Sequence, residues 1–267
     1  MLLIKNKPLR VAWGFCETFN LLALKLWFRN RPNARAFSGK IFRTYMSLVK
    51  RDRWRSQSLD ELFPRMSGAR IVLEHMCGGG INNPIDELAC LAVLASQARP
   101  QRVFEIGTFR GRTALNFALN SPPECVIHTL DLPPAARDEF KKLTNPDDSV
   151  IIAQSDTGVD YRGKDGAEKI RQLFGDSTTF DFSPYHGQMD IVFVDGAHHY
   201  AAVVSDTRNA LKIARPGGWI IWHDFANFGD YNDVTRAVLS LLPGDEIIQI
   251  DSTQLAVHQK KEHSTPS

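Results

Sequence analysis

The sequence has few cysteines for its length: four in 267 residues, at Cys16, Cys77, Cys90 and Cys125. None forms a C-x-x-C pair or joins a Cys/His group with zinc-finger spacing, so a disulfide miniprotein and a zinc module are both excluded. Scattered thiols fit a reducing, cytoplasmic compartment. A clean apolar run is also missing. The best candidate, residues 11–28, is interrupted by Glu17, Asn20 and Lys25, which makes it a poor spanning helix and a poor signal peptide. Neither G-x-G-x-x-G nor the Walker A spacing occurs, so the phosphate cradles of dinucleotides and of nucleoside triphosphates are absent. Repeats and low-complexity tracts are absent too. Apolar residues at 43% and charged residues at 23% describe a chain able to bury a sizeable core.

The net charge of +2 conceals a division. Residues 1–60 carry 13 Lys/Arg against Glu17, Asp52 and Asp60, a net of +10. The remainder carries 19 bases and 27 acids, a net of −8. We therefore read residues 1–66 as a basic, aromatic-rich helical extension and residues 67–267 as the main domain. The extension suits packing on its own domain, assembly of a homo-oligomer, or an anionic membrane surface, with Trp13, Phe15, Phe19, Trp27 and Phe28 at the interface. No nucleic-acid module accompanies its charge, so nucleic acid is not expected as a partner.

Beyond a flexible Gly78-Gly79-Gly80 stretch, strand and helix patterns alternate. Asn83-Pro84 with Asp86 and Glu87 reads as a capped helix start, and that helix should stop before Pro100. Strands are expected over 103–106, 126–130, 169–174, 191–194 and 219–222, with helices over 113–119, 203–214 and 234–242. A closing hairpin pairs 247–250 with 255–258. Residues 144–168 read as a polar, loop-like insertion. Asp206 and Arg208 read as a solvated helix face. The alternation implies an α/β fold, a doubly wound and mostly parallel sheet covered on both faces.

The sharpest local feature is Val103-Phe104-Glu105-Ile106-Gly107-Thr108-Phe109-Arg110-Gly111-Arg112-Thr113. A buried strand ends in a turn with two glycines, where positive φ and close ligand approach are allowed. Asp131 ends the next strand, where a carboxylate can accept both hydroxyls of a ribose. Together they point to a nucleoside ligand without a pyrophosphate.

In order, E-I-G-T-F-R-G-R-T, L-D-L, G-D-S, D-I-V-F-V-D-G-A-H-H-Y and G-G-W-I-I-W-H-D resemble the class I S-adenosylmethionine-dependent methyltransferases. The resemblance is nearest to the branch with D-G-x-H-x-Y followed by G-G-x-x-x-x-H-D, and covers about residues 80–258. It implies a seven-stranded Rossmann-like sheet with the last strand antiparallel. It also implies that Glu105, Gly107 and Gly111 line the methionine end of S-adenosyl-L-methionine, that Asp131 binds the ribose, and that Asp176 and Ser177 sit beside the adenine. Asp176 reads equally as a turn residue. Phe180, Phe182 and Tyr185 read either as a cover for the adenine or as packing.

Parallel strands bring Asp195, His198, His199, His223 and Asp224 to the same sheet edge. One reading makes Asp195, His223 and Asp224 the ligands of a divalent metal (magnesium, manganese or iron) that polarises a substrate hydroxyl. The other dispenses with metal and makes His198 or His223 the general base, oriented by carboxylates such as Asp224. His199 reads as a helix-start residue with a solvent-facing ring, and Tyr200 as either lid or core. The expected activity is methyl transfer to an oxygen of a small molecule, sugar or lipid-linked glycan. The rival readings are a metal-dependent hydroxylase-like relative and a non-catalytic cofactor-binding scaffold acting through its N-terminal arm.

Overall fold

The structure, a computed structural model, describes residues 54–66, 68–76, 83–136, 156–226 and 232–261, with 138, 149, 152 and 153. The basic arm before Trp54, Cys16, Cys77 and the triple glycine at 78–80 lie outside the described residues. No helix among the described residues is long and apolar enough to cross a membrane.

Short apolar runs become the central strands. These are β1 (Arg55–Gln57), β2 (Arg102–Ile106), β3 (Val126–Asp131), β4 (Ile170–Phe174), β5 (Met189–Val194), β6 (Ala214–Trp222), β7 (Ile248–Ile250) and β8 (Ala256–Gln259). Their order across the sheet is β1-β7-β8-β6-β5-β2-β3-β4. Every pairing is parallel except those of β8 with β6 and β7. The antiparallel last strand is the one the motifs imply.

Helices cover both faces: α1 (Leu59–Leu62), α2 (Ile85–Ala98), α3 (Arg112–Asn120), α4 (Tyr200–Ile213) and α5 (Asn232–Leu241). Side chains alternate between two cores, as a period of two requires. Val103, Ile191 and Phe193 join Leu91, Leu94 and Phe117 on the α2/α3 face. Phe104, Val192 and Val194 join Val203, Ala210 and Val238 on the α4/α5 face. Each such side chain, fully buried, contributes roughly 1.5–3 kcal/mol. Lysines close two helix ends. Lys169 Nζ donates to Ala118 O at 2.7 Å and Ser121 O at 3.0 Å. Lys260 Nζ donates to Leu211 O and Ala214 O, both at 2.8 Å.

Three expectations change. First, the sheet has eight strands rather than seven, because Arg55–Gln57 pairs with β7 in register Arg55↔Ile248 to Gln57↔Ile250. This strand lies within the segment that charge alone sets apart. Trp54 is buried there, donates from Nε1 to Gln249 Oε1 at 2.9 Å, and meets Phe225 edge-on at 4.9 Å. Second, Pro84 rather than Asn83 is the N-cap of α2, so Asn83 is free of the capping role and its side chain turns to the sheet edge. Third, Asp206 faces the core, fully buried, while its neighbour Arg208 is exposed.

The chain leaves β2 for β3 and β4 on one side, then returns to β5 on the other. The order reverses between β2 and β5, and in open α/β sheets the carboxyl ends at such a reversal are where ligands bind. Glu105, Gly107, Asp131, Asp195 and His223 all stand at this edge.

Candidate active site

The turn after β2 depends on its glycines. Gly107 has φ +102 and donates its N–H to Leu130 O at 2.8 Å. A Cβ there would stand 2.0 Å from the Asp195 carbonyl oxygen, so only glycine fits. Gly111 (φ +85) is the N-cap of α3, and a Cβ there would come within 2.4 Å of the Tyr161 ring. Residues 156–161 clamp the turn from outside. Gly158 N donates to Phe109 O at 3.1 Å, Asp160 N to Arg110 O at 2.8 Å, and Arg110 pairs with Asp160 at 2.9 Å. Part of the segment read as a polar insertion is thus a wall of the site.

Asp131 lies below the turn. Its Oδ2 accepts Phe109 N and its Oδ1 accepts Leu132 N, both at 2.7 Å. Glu105 is buried entirely. Its Oε2 accepts the Thr129 hydroxyl, and its Oε1 has no hydrogen-bond partner. Burial pushes the Glu105 carboxyl well above its usual range; the Thr129 bond opposes this, and the charges of Asp195 and Asp131 add to it. The Thr108 and Thr129 hydroxyls lie 2.7 Å apart, Gln172 Nε2 donates to Thr108 Oγ1 at 3.0 Å, and Tyr161 OH donates to Gln172 Oε1 at 2.8 Å. These donors run in one direction, from Tyr161 through Gln172, Thr108 and Thr129 to Glu105. Sequence reasoning missed Thr108, Thr129, Tyr161 and Gln172, because single polar residues on buried strands and in loops carry no motif.

At the opposite lip the expected cluster forms. Asp195 N donates to Ile106 O at 2.8 Å, which fixes Asp195 beside the glycine turn. His198 Nε2 lies 3.0 Å from Asp224 Oδ2. His223 Nδ1 lies 3.0 Å from Asp224 Oδ2 and 3.2 Å from Asp195 Oδ1. Its other nitrogen, Nε2, lies 2.9 Å from Glu87 Oε2. Glu87 is buried on the first turn of α2, and its Oε1 accepts Gln254 N at 2.7 Å. Asn83 Nδ2 donates to Asp195 Oδ2 at 3.2 Å. Asn83 and Glu87 were read only as helix-start residues, and nothing in the local sequence shows that they face the site.

Carboxylates at both ring nitrogens favour the protonated form of His223. Burial lowers its pKa, but the charges of Asp224 and Asp195 and their hydrogen bonds carry it well above the ordinary value. Burial likewise raises Asp224, but the His223 charge and the hydrogen bonds from His198 and His223 hold its carboxyl far below the usual carboxylate range. A doubly engaged imidazolium is neither metal ligand nor base. The three side chains that offer ligand atoms within 4.8 Å of one another are Asp195, His198 and Asp224, so His198 stands where the sequence reading puts His223. Asp224 holds a left-handed φ of +54, a strained conformation of the kind that gathers at active sites.

The remaining candidates sort plainly. His199 is the exposed N-cap of α4, its Nδ1 accepting Ala202 N at 3.4 Å. Tyr200 is partly exposed, with the Arg236 guanidinium 5.1 Å from its ring centre. Asp176 Oδ1 accepts Thr178 N at 2.9 Å and Thr178 Oγ1 at 2.8 Å, which is the turn role. Phe180, Phe182 and Tyr185 pack with Phe104 and on one another, with Phe104–Phe182 at 5.4 Å and Phe104–Tyr185 at 5.0 Å.

Residues 104–225 match a family described as a methyltransferase domain. Among solved structures, the chain is similar to the methyltransferase PaMTH1 of Podospora anserina, solved with SAH, at 15% identity and TM-score 0.48, covering 98% of this chain and 99% of that one. It is similar to the O-methyltransferase TomG of Streptomyces achromogenes, solved with SAM, at 16% identity and TM-score 0.45, covering 79% and 99%. A third is an O-methyltransferase of Bacillus cereus solved with SAH, at 15% identity and TM-score 0.44, covering 80% and 96%. None of the curated proteins matches the sequence. The matched segment 104–225 contains every motif by which the sequence resembles the class I S-adenosylmethionine-dependent methyltransferases.

Proposed function

We propose that this chain transfers the methyl group of S-adenosylmethionine to a hydroxyl oxygen of a small-molecule acceptor, a sugar or lipid-linked glycan among the candidates. The observation that carries this reading is the contact between its two halves. The Asp195 carbonyl is so close to Gly107 that no side chain fits between them, so the acceptor cluster directly adjoins the turn that would hold the cofactor.

Glu105, fully buried at the end of β2 with its Oε1 unpaired, lies beneath the turn that would hold the methionine end of the cofactor. Asp131, which ends β3, would accept the ribose hydroxyls. Gly107 and Gly111 leave room for a ligand against the backbone, and Asp176 with Ser177 borders the base end. Replacing Asp131 by alanine should weaken binding of S-adenosylhomocysteine by roughly 1.5–3 kcal/mol, measured by calorimetry. An unchanged affinity would remove Asp131 from the site.

In the transfer the oxygen forms a bond to the methyl carbon, the carbon–sulfur bond breaks, and the sulfonium becomes a neutral thioether. The hydroxyl proton must leave. His198, whose Nε2–H donates to Asp224, would take it on Nδ1. The imidazolium of His223 offsets the charge of Asp195 and Asp224. Asp195, His198 and Asp224 also fit a divalent cation, two oxygens and one imidazole, a donor set suited to manganese, iron or zinc more than to magnesium. Such a cation, when bound, lowers the pKa of an acceptor hydroxyl. In that case His198 is a ligand and not the base. Turnover should then fall at least tenfold on chelation and return with added manganese. Turnover indifferent to chelation would leave His198 as the base.

A further inference from the structure

Asp206 takes no part in the chemistry above, yet it is fully buried on α4. Neither carboxylate oxygen has a hydrogen bond of normal geometry. Its surroundings are specific. The Ser177 hydroxyl lies beside it, Asp176 is close enough to act on it electrostatically, and its Oδ2 stands 3.3 Å from where a side chain on Gly196 would begin. The carboxyl thus fills the gap between the loop after β4, residues 175–179, and the loop after β5, residues 195–199. Burial pushes it up to about 7, with Ser177 opposing and Asp176 adding to the shift. A buried acid with no cation beside it costs the fold stability, and an apolar residue of similar size would pack there better. Its oxygens have no accessible surface, so a ligand in the crevice cannot touch them.

We propose that Asp206 is a positioning residue for the nucleoside cofactor: its carboxyl receives the Ser177 hydroxyl when the base occupies the crevice, and so sets the loop after β4 against the loop after β5. This rests on the cofactor reading above. The test combines thermal denaturation with calorimetric titration of S-adenosylhomocysteine, on the wild type, Asp206→Leu, Asp206→Asn, Ser177→Ala and the double variant Asp206→Leu/Ser177→Ala. Asp206→Leu should melt higher than the wild type and bind at least tenfold more weakly. Asp206→Asn should bind within about threefold of the wild type, because its amide oxygen still accepts the hydroxyl. The double variant should bind no more weakly than the weaker single variant. A lower melting temperature for Asp206→Leu, an unchanged affinity, or defects that multiply in the double variant would each overturn the proposal. A wild type that does not bind S-adenosylhomocysteine would overturn the cofactor reading as well, a result distinct from variants that bind as the wild type does.

Discussion

Gly107→Ala should destabilise the domain by about 4 kcal/mol and abolish binding of S-adenosylhomocysteine. The added Cβ would stand 2.0 Å from the Asp195 carbonyl oxygen, 2.5 Å from its carbon and 3.0 Å from Gly196 N. All three are backbone atoms, so no side chain can swing aside. The φ of +102 is also one that alanine adopts only under strain. Relief would require the ends of β2 and β5 to part, where Ile106 pairs with Val194 and Asp195 N bonds Ile106 O. That separation would move the Asp195 carboxylate as well as the turn. Gly163 provides the control: its φ is +69, and a Cβ there meets nothing within 4 Å. Alanine at Gly163 should cost only about 1 kcal/mol of backbone strain. Urea denaturation of the two variants gives the comparison, and equal stabilities would mean that the strand ends yield.

Asp224→Asn should lower methyl transfer about a hundredfold or more while leaving affinity for S-adenosylhomocysteine nearly intact. Asparagine tolerates the left-handed backbone at this position, so the turn itself is kept. What goes is charge. Asp224 Oδ2 is shared by His198 Nε2 and His223 Nδ1, both at 3.0 Å. The amide leaves His223 balanced by Asp195 and Glu87 alone, and it removes the carboxylate that orients His198. Release of S-adenosylhomocysteine over a panel of hydroxylated acceptors is the measurement. Turnover at the wild-type level would show that the cluster does not serve the reaction.

The sheet was legible in the sequence because its central strands are short, continuous apolar runs bounded by glycine, proline and charge. Strands 103–106, 126–130 and 191–194 fall within β2, β3 and β5. The sheet edge was not legible in this way. Arg55-Ser56-Gln57 is a three-residue polar strand, and only its pairing with β7 makes it one. At the site, residues that close strands were legible, because strand direction alone puts Asp131, Asp195 and His223 on one edge. Residues reaching the site from other elements were not. Glu87 arrives from α2, Asn83 from the residue before its cap, and Tyr161 from a loop. Their roles depend on distances across the sheet, which spacing along the chain does not encode. That His198 rather than His223 groups with Asp195 and Asp224 has the same origin, since Glu87 engages the other nitrogen of His223.

Trp54 has a practical corollary for anyone shortening this protein. A fragment begun at residue 67, where the basic composition fades, would lose the indole beneath Phe225 and leave Gln249 without its donor. It would also strip the outer edge of β7 of its neighbour, baring unpaired backbone that invites association with other chains. Phe225 directly follows Asp224, so the damage would reach the reaction centre as well as the rim. The compact unit that carries the candidate site therefore begins at Trp54.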